Sequence, residues 1–152
     1  MLPNNNSFPE IIEAPEADYL YIKPSNILNA GNGLFTAINI YKNEIIAIYD
    51  GEIINQKELA KRTLNKENKY MMNLPNGSVF DTQNLAGFAK FANDANGTLP
   101  ATFKNNAYIT LNPKNQVCLV ALKNIKSNQE ILCDYGKNYW NNLQIEEALK
   151  QP

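Results

Sequence analysis

Six short apolar runs, each followed closely by glycine, proline or asparagine, divide this 152-residue chain into units too short to be core helices. The runs are Tyr19–Ile22, Leu34–Ile38, Glu44–Tyr49, Ala107–Leu111, Val117–Leu122 and Glu130–Cys133. Runs of this length between turn residues are typical of β-strands. Pro75-Asn76-Gly77 lies between two further β-type segments, Tyr70–Leu74 and Ser78–Asp81, and predicts a hairpin. We therefore predict a mostly β domain.

Two segments carry helical spacing instead. Asn55–Glu67 has apolar residues at helical intervals, and Asn55 with Glu58 three residues later is the pattern of a capping box. Tyr139–Lys150 is apolar on one side and suits a closing helix. Residues 1–18 are polar and interrupted by prolines, which predicts an extended lead-in. The expected organisation is an N-terminal extension over residues 1–18 and one domain over residues 19–152.

The composition excludes several classes of site. The chain has no histidine, so a Ser-His triad, a histidine base and a histidine metal site are excluded. Its 14 basic residues against 15 acidic ones lack the surplus that binding to nucleic acid requires. Cys118 and Cys133 are too few for a cysteine-only zinc site and are expected to be buried free thiols. We therefore expect neither a metal site nor direct contact with nucleic acid.

The N-terminal residues indicate no signal peptide, and no apolar run approaches the length of a membrane span. The two free thiols favour a reducing compartment. We expect a cytoplasmic protein without a membrane partner. Secretion into a host cell or its nucleus stays open if the protein is an effector.

Four motifs, taken together and in order, resemble those of the SET domain family of protein-lysine methyltransferases. They are Gly31-Asn32-Gly33-Leu34-Phe35, Tyr49-Asp50-Gly51-Glu52, Lys90-Phe91-Ala92-Asn93-Asp94, and Glu130–Gly136 with Tyr139-Trp140 just beyond. The resemblance extends from Tyr19 to Trp140, and the absence of a cysteine-rich cluster after Trp140 matches the compact bacterial and viral members. It implies a β-clip fold of several small sheets in which the last motif threads through a loop, a knot-like exception to the usual topology.

The implied activity is methyl transfer from S-adenosylmethionine to a lysine side chain, and this chemistry requires alignment more than a strong base. A lysine side chain has a pKa of about 10.4, so removing its proton at neutral pH costs about 4 kcal/mol. The positive sulfur of the cofactor and an apolar channel both lower that pKa. The site then needs oxygen dipoles aimed at the methyl group and a route for the proton to water.

The resemblance assigns roles to individual residues. Tyr135 and Tyr49 are the implied catalytic residues. The implied cofactor-binding residues are Gly31, Asn32, Gly33, Leu34, Asn93, Asp94, Tyr135 and Trp140. The implied substrate channel consists of Tyr49, Tyr70, Tyr108 and Cys133. Aromatic walls suit a lysine because its stem packs on the rings and its ammonium is attracted to their faces.

Three departures from the family pattern bear on these roles. Asp94 stands where the family usually has histidine. Asn93 and Asn106 are farther apart than the two asparagines of the common motif, which indicates an insertion over Ala95–Asn105. Cys133 stands where relatives have phenylalanine or tyrosine, at a position that tunes how many methyl groups fit, and the degree of methylation stays open.

Other readings of the same residues also stay open. One is a SET-like module that binds a peptide or the cofactor without turnover, and another is a β-rich structural or adhesion module with accidental matches. The acceptor is a lysine-containing protein or peptide, either a histone tail in chromatin or a non-histone bacterial protein. A homodimer through the aromatic tail is a further option that the sequence does not decide.

Overall fold

The computed structural model of the chain describes residues 9–67, 71–74, 78–81, 87–96, 103–114 and 116–134. Its elements in chain order are β1 (Glu10–Ile11), α1 (Glu16–Tyr19), β2 (Leu20–Pro24), β3 (Asn32–Thr36), β4 (Glu44–Ile48), β5 (Glu52–Ile54), α2 (Gln56–Leu64), β6 (Met71–Asn73), β7 (Val79–Asp81), a 3₁₀ helix (Ala89–Phe91), β8 (Ala107–Leu111), β9 (Val117–Ala121), β10 (Glu130–Ile131) and β11 (Cys133–Asp134). Strands account for most of this regular structure, which confirms the mostly β prediction.

The strands form three small sheets, in the orders β1-β4-β9-β8-β11, β10-β3-β2 and β5-β7-β6. Every residue of β9 is buried, as expected for a central strand that is covered on both faces. One apolar cluster joins the sheets, because it contains Leu119 of the first, Leu34 and Ile131 of the second and Phe80 of the third. The three sheets therefore share one core.

The two predicted hairpins are confirmed. β6 pairs antiparallel with β7, from Met71 opposite Asp81 to Asn73 opposite Val79. β8 pairs antiparallel with β9 over its whole length. In the third sheet β7 lies between β5 and β6. The hairpin therefore pairs through β7 with β5, the strand that precedes α2 in the chain.

The region before β2 is more regular than the predicted lead-in. Glu10 and Ile11 pair in parallel with the start of β4. Tyr19, predicted to begin a strand, instead ends the single turn of α1 and donates a hydrogen bond from its hydroxyl to the Ile46 carbonyl at 2.7 Å. Burial, followed by the charges of Glu16 and Glu44, raises the pKa of Tyr19 to about 12. Burying this ring takes precedence over its β propensity.

The last predicted strand, Glu130–Cys133, is two strands in different sheets. β10 pairs antiparallel with β3, and β11 pairs in parallel with β8. Leu132, between them, forms an isolated bridge to Asn93 on one side. The side-chain amide of Asn106 holds the same segment: its nitrogen donates to the Glu130 carbonyl at 2.9 Å, and its oxygen accepts from the backbone amide of Leu132 at 2.9 Å.

Segment 130–134 consequently lies between the two ends of the predicted insertion. Asn105 links these ends, because its side chain accepts from the Ala95 amide at 2.8 Å and donates to the Asp94 carboxylate at 2.9 Å. A threaded C-terminal segment requires this arrangement. Residues 97–102, which complete the loop, lie outside the described residues.

The predicted helix over Asn55–Glu67 is α2, and its cap is partly as expected. The Asn55 side chain accepts from the Glu58 amide at 2.8 Å. A full capping box would turn the Glu58 carboxylate back to Asn55, but this carboxylate accepts from Arg62 instead. The predicted closing helix over Tyr139–Lys150 lies outside the described residues. In the part of the chain that the structure describes, no helix is long and apolar enough to span a membrane.

Replacing Asn106 with alanine should lower the free energy of unfolding by about 3 kcal/mol, because the buried Glu130 carbonyl and Leu132 amide both lose their side-chain partner. Urea denaturation measures this change. Asn39→Ala is the control, since it removes one exposed bond from the Ser127 amide and should cost less than about 1 kcal/mol. Equal losses in the two variants would contradict the role of Asn106.

Candidate functional site

The glycine motif begins at an exposed turn and enters the core within three residues. Gly31 has a φ of 71°, and its carbonyl accepts from the Ser25 amide at 2.8 Å, which closes the turn between β2 and β3. Asn32 is exposed, whereas Leu34 is fully buried in the core. The side chain of Leu34 therefore serves the core, and the backbone of Gly31 and Asn32 is the part of the motif that a ligand can approach.

Asn93 connects this motif to the C-terminal motif. Its side-chain amide donates to the Asn32 carbonyl at 3.0 Å. Its own carbonyl accepts from the Cys133 amide at 2.8 Å. The structure thus brings together three predicted site residues that are about sixty and forty positions apart in the chain.

Gly33 makes room for a buried carboxylate. Glu130 is 6% exposed and accepts from the Ser25 hydroxyl at 2.6 Å and the Asn26 amide at 2.8 Å. A Cβ on Gly33 would overlap this carboxylate and lie 3.2 Å from the Ser25 Cα. The missing side chain, expected to admit a cofactor, has a role within the protein itself, because it lets Glu130 tie β10 to the turn that precedes the motif.

Asp94, the departure from the family's histidine, is buried at the base of the inserted loop. Its carboxylate accepts from the Asn96 amide at 2.8 Å and from the Asn105 side chain at 2.9 Å. A short carboxylate at this position therefore closes its own loop. This is a sufficient structural reason for aspartate here.

Tyr49 and Cys133 lie together in the core, as the predicted channel requires. They are 5% and 0% exposed and belong to one apolar cluster. Burial raises the pKa of the Cys133 thiol well above its ordinary value. The nearby Tyr49 hydroxyl lowers it by less, and the charges of Asp94 and Asp134 raise it further. Cys133 is thus a neutral thiol at physiological pH and not a nucleophile.

The Tyr49 ring is held by Phe80 from β7. The two ring centroids are 6.4 Å apart and the planes meet at 90°, an edge-to-face contact. A shallow depression opens beside Tyr49, and its lining residues are Ile48, Tyr49, Asp50, Gly87, Ala89 and Lys90. The depression therefore lies next to Tyr49 at the protein surface.

Among the described residues, Tyr108 is a predicted site residue that does not join this group. Tyr108 packs against Ile45, Cys118 and Val120. Its neighbour in β8, Ala107, packs in the cluster of Tyr49 and Cys133, so Tyr108 points to the opposite face of the strand. Tyr70, Tyr135 and Trp140 lie outside the described residues, and their roles stay predictions.

Sequence reasoning missed a cluster around Arg62, the single arginine of the chain. Its guanidinium forms ion pairs with Glu52 at 2.7 Å, Glu58 at 2.9 Å and Asp81 at 2.6 Å. Glu58 and Arg62 are four positions apart on the predicted helix, a spacing that favours an ion pair. The contacts with Glu52 and Asp81 depend on tertiary structure and leave no such signal.

Comparison with known proteins gives a match to a family model and matches to characterised proteins. The family model described as the SET domain matches residues 31–136. A histone-lysine N-methyltransferase of Caenorhabditis elegans, mes-2, is 27% identical over 119 residues, which are 76% of this chain and 15% of that protein. The chain therefore spans only a small part of the length of that relative.

Gly33→Ala should destabilise the protein by about 1–3 kcal/mol, because the new methyl group overlaps the Glu130 carboxylate. The loss should shrink in a Glu130→Ala background, where that carboxylate is absent. Gly31→Ala is the matched control, since its cost of about 1–2 kcal/mol comes from the positive φ and should be the same in both backgrounds. Urea denaturation of the four variants and their parents measures the coupling, and strict additivity for Gly33 would contradict it.

The buried thiol of Cys133 should make stability depend on alkaline pH. Its folded pKa is raised above the ordinary 9.0, so its contribution is fully present below about pH 9 and is lost as the pH rises above that value. Above about pH 9 the free energy of unfolding should fall less steeply with rising pH in Cys133→Ala than in the wild type. Urea titrations at several pH values measure the two slopes, and equal slopes would contradict the prediction. Tyr19 contributes with the same sign in both proteins.

Proposed function

This chain belongs to the SET domain family, and we propose that it is a protein-lysine N-methyltransferase that uses S-adenosylmethionine as its methyl donor. The observation that supports the proposal most strongly is the position of Asn93. One residue contacts both Asn32 in the glycine motif and Cys133 in the C-terminal motif, so the implied cofactor residues and the implied substrate channel adjoin each other.

The residues on the cofactor side fit the proposed ligand. Gly31 and Asn32 are exposed, and no atom lies within 4 Å of the position that a Cβ on Gly31 would occupy. A ligand can therefore reach the backbone at this turn. In the proposal the backbone of Gly31 and Asn32 receives the cofactor with Asn93, Asp94 and Trp140, and the bound cofactor supplies the methyl group and a positive charge.

The channel side favours a neutral amine. A lysine side chain that enters beside Tyr49 loses water, which disfavours its charged form and lowers its pKa. Cys133 carries no charge because its own pKa is raised, so no thiolate holds the amine in its ammonium form. The depression beside Tyr49 offers the released proton a short route to water. The proposed channel consists of Tyr49, Tyr70 and Cys133, without Tyr108.

Tyr135 is the proposed catalytic tyrosine. It follows β11, in which Asp134 pairs with Tyr108 and Cys133 with Ala107. The hydroxyl of Tyr135, with that of Tyr49, would aim an oxygen dipole at the transferred methyl group. Aligned dipoles of this kind contribute about 10²–10³-fold to rate in other enzymes.

A histone lysine is the first acceptor to test, because the relative with the matching segment is a histone-lysine methyltransferase. A non-histone protein is the second candidate. The near balance of 14 basic and 15 acidic residues does not by itself select a strongly basic partner. Cys133 replaces an aromatic residue at a position that tunes how many methyl groups fit, so the product is identified by mass and not only by label.

Transfer of label from methyl-labelled S-adenosylmethionine to lysine tests the proposal. Core histones and a lysate of the source cells are the two acceptor pools. We expect Tyr135→Phe to lower the rate about a hundredfold or more, since it removes one aligned dipole. Tyr41→Phe is the control, because Tyr41 is 59% exposed and should leave the rate unchanged.

Calorimetry with S-adenosylmethionine separates the competing functions. Label on lysine in either pool, lost in Tyr135→Phe, supports the enzyme and identifies the acceptor class. Cofactor binding without label in both pools supports a binding module and contradicts turnover. An absence of cofactor binding contradicts the proposal as a whole.

A further inference from the structure

The Arg62 cluster joins α2 to two strands of the β5-β7-β6 sheet. Glu52 belongs to β5, Glu58 to α2 and Asp81 to β7, and each contacts a different nitrogen of the guanidinium. The Arg62 side chain is only 16% exposed. A planar guanidinium can satisfy several carboxylates at once in a fixed geometry, which an ammonium cannot. The cluster therefore fixes the elements relative to one another as well as balancing charge.

Asp81 is the member of the cluster that makes Arg62 necessary. It is 3% exposed, and a buried carboxylate that loses its cation is strongly destabilised. An exposed ion pair, in contrast, contributes little. The contact between Arg62 and Asp81 should consequently hold β7 in place, whereas the contacts with half-exposed Glu52 and Glu58 orient the guanidinium.

Phe80, the residue before Asp81, transmits this constraint to the other face of the strand. Consecutive side chains in a strand point to opposite faces, so Asp81 is turned to Arg62 while Phe80 is turned to the core. A Cβ on Gly51 would overlap the Phe80 ring and lie 2.8 Å from the Asp81 carbonyl. The Phe80 ring is therefore packed against the backbone of Gly51, two residues after Tyr49.

We propose that Arg62 is a positioning residue: by holding β7 against α2 and β5 it sets the Phe80 ring, and through Phe80 the position of Tyr49 beside Cys133. The inference rests on the proposed function, in which Tyr49 and Cys133 line the lysine channel. Arg62 lies about thirty positions along the chain from the cofactor motifs, and among the described residues its three ion pairs are with β5, β7 and α2. Its loss should alter the handling of the lysine and leave cofactor binding intact.

Steady-state kinetics of Arg62→Met tests the positioning role. We expect kcat to fall about tenfold, because a small displacement of an aligning group is costly, while the Kd for S-adenosylmethionine changes less than about twofold. Phe80→Leu should reproduce this split, and Arg62→Lys should recover part of kcat. Lys61→Met is the matched control, since it removes the same charge from the next position of α2 outside the cluster and should behave as the wild type.

Alkylation of the two cysteines gives a readout that does not depend on activity. Cys133 adjoins Tyr49, whereas Cys118 packs on the other face of the large sheet, and both are buried. In folded Arg62→Met we expect iodoacetamide to modify Cys133 faster than in the wild type by about tenfold or more, with Cys118 unchanged. Peptide mass spectrometry after a timed reaction measures both sites, and Lys61→Met should show neither change.

The outcomes separate the two proposals. Selective exposure of Cys133 in a protein that transfers no methyl group supports the packing role of Arg62 and contradicts the proposed function. Wild-type labelling and wild-type kcat in Arg62→Met overturn the positioning role while the methyltransferase stands. Equal acceleration at both cysteines, or a parallel loss of cofactor affinity, shows general loosening and also overturns it.

Discussion

Two hydrogen bonds of the Asn106 side chain, one donated and one accepted, hold the segment that connects the first two sheets. They fix the Glu130 carbonyl and the Leu132 amide, at the point where the backbone leaves the sheet of β3 and enters the sheet of β8. Asn93 contacts the same segment from the other side. This support holds β10 beside β3 and β11 beside β8. Asn93 also determines the geometry of the site, because it is hydrogen-bonded to both Cys133 and the glycine motif.

The sequence predicted much of the fold because local residue patterns indicate where the strands lie. Short β-type runs between turn residues predicted the paired strands β6–β7 and β8–β9, and Asn55 marked the start of α2. The errors arose where a tertiary contact overrode a local preference. Tyr19 ends a helical turn to bury its ring, and Glu130–Cys133 is divided because Leu132 is held between two loop ends. No local pattern carries that information.

For the candidate site, the sequence predicted part of the spatial arrangement, whereas the roles of the residues stay predictions. The motifs indicated that Asn93, Gly31–Leu34, Tyr49 and Cys133 would lie together, and among the described residues they do. Tyr108 was chosen as a tyrosine near the right place in the chain, but strand alternation turns it to the opposite face. Local sequence patterns do not predict the Arg62 cluster. Two of its three carboxylates come from strands before and after the helix in the chain, and only folding brings them to the guanidinium.

The division of the last strand also governs when the molecule can become complete during synthesis. Leu34 pairs with Ile131, and Ala107 with Cys133, so an early strand waits for residues almost a hundred positions later. On the ribosome, β2 and β3 can form a hairpin long before their third strand has emerged. Contacts of such separation slow folding and leave strand edges uncovered meanwhile. The β2-β3 pair should therefore keep one uncovered edge until β10 has been synthesised.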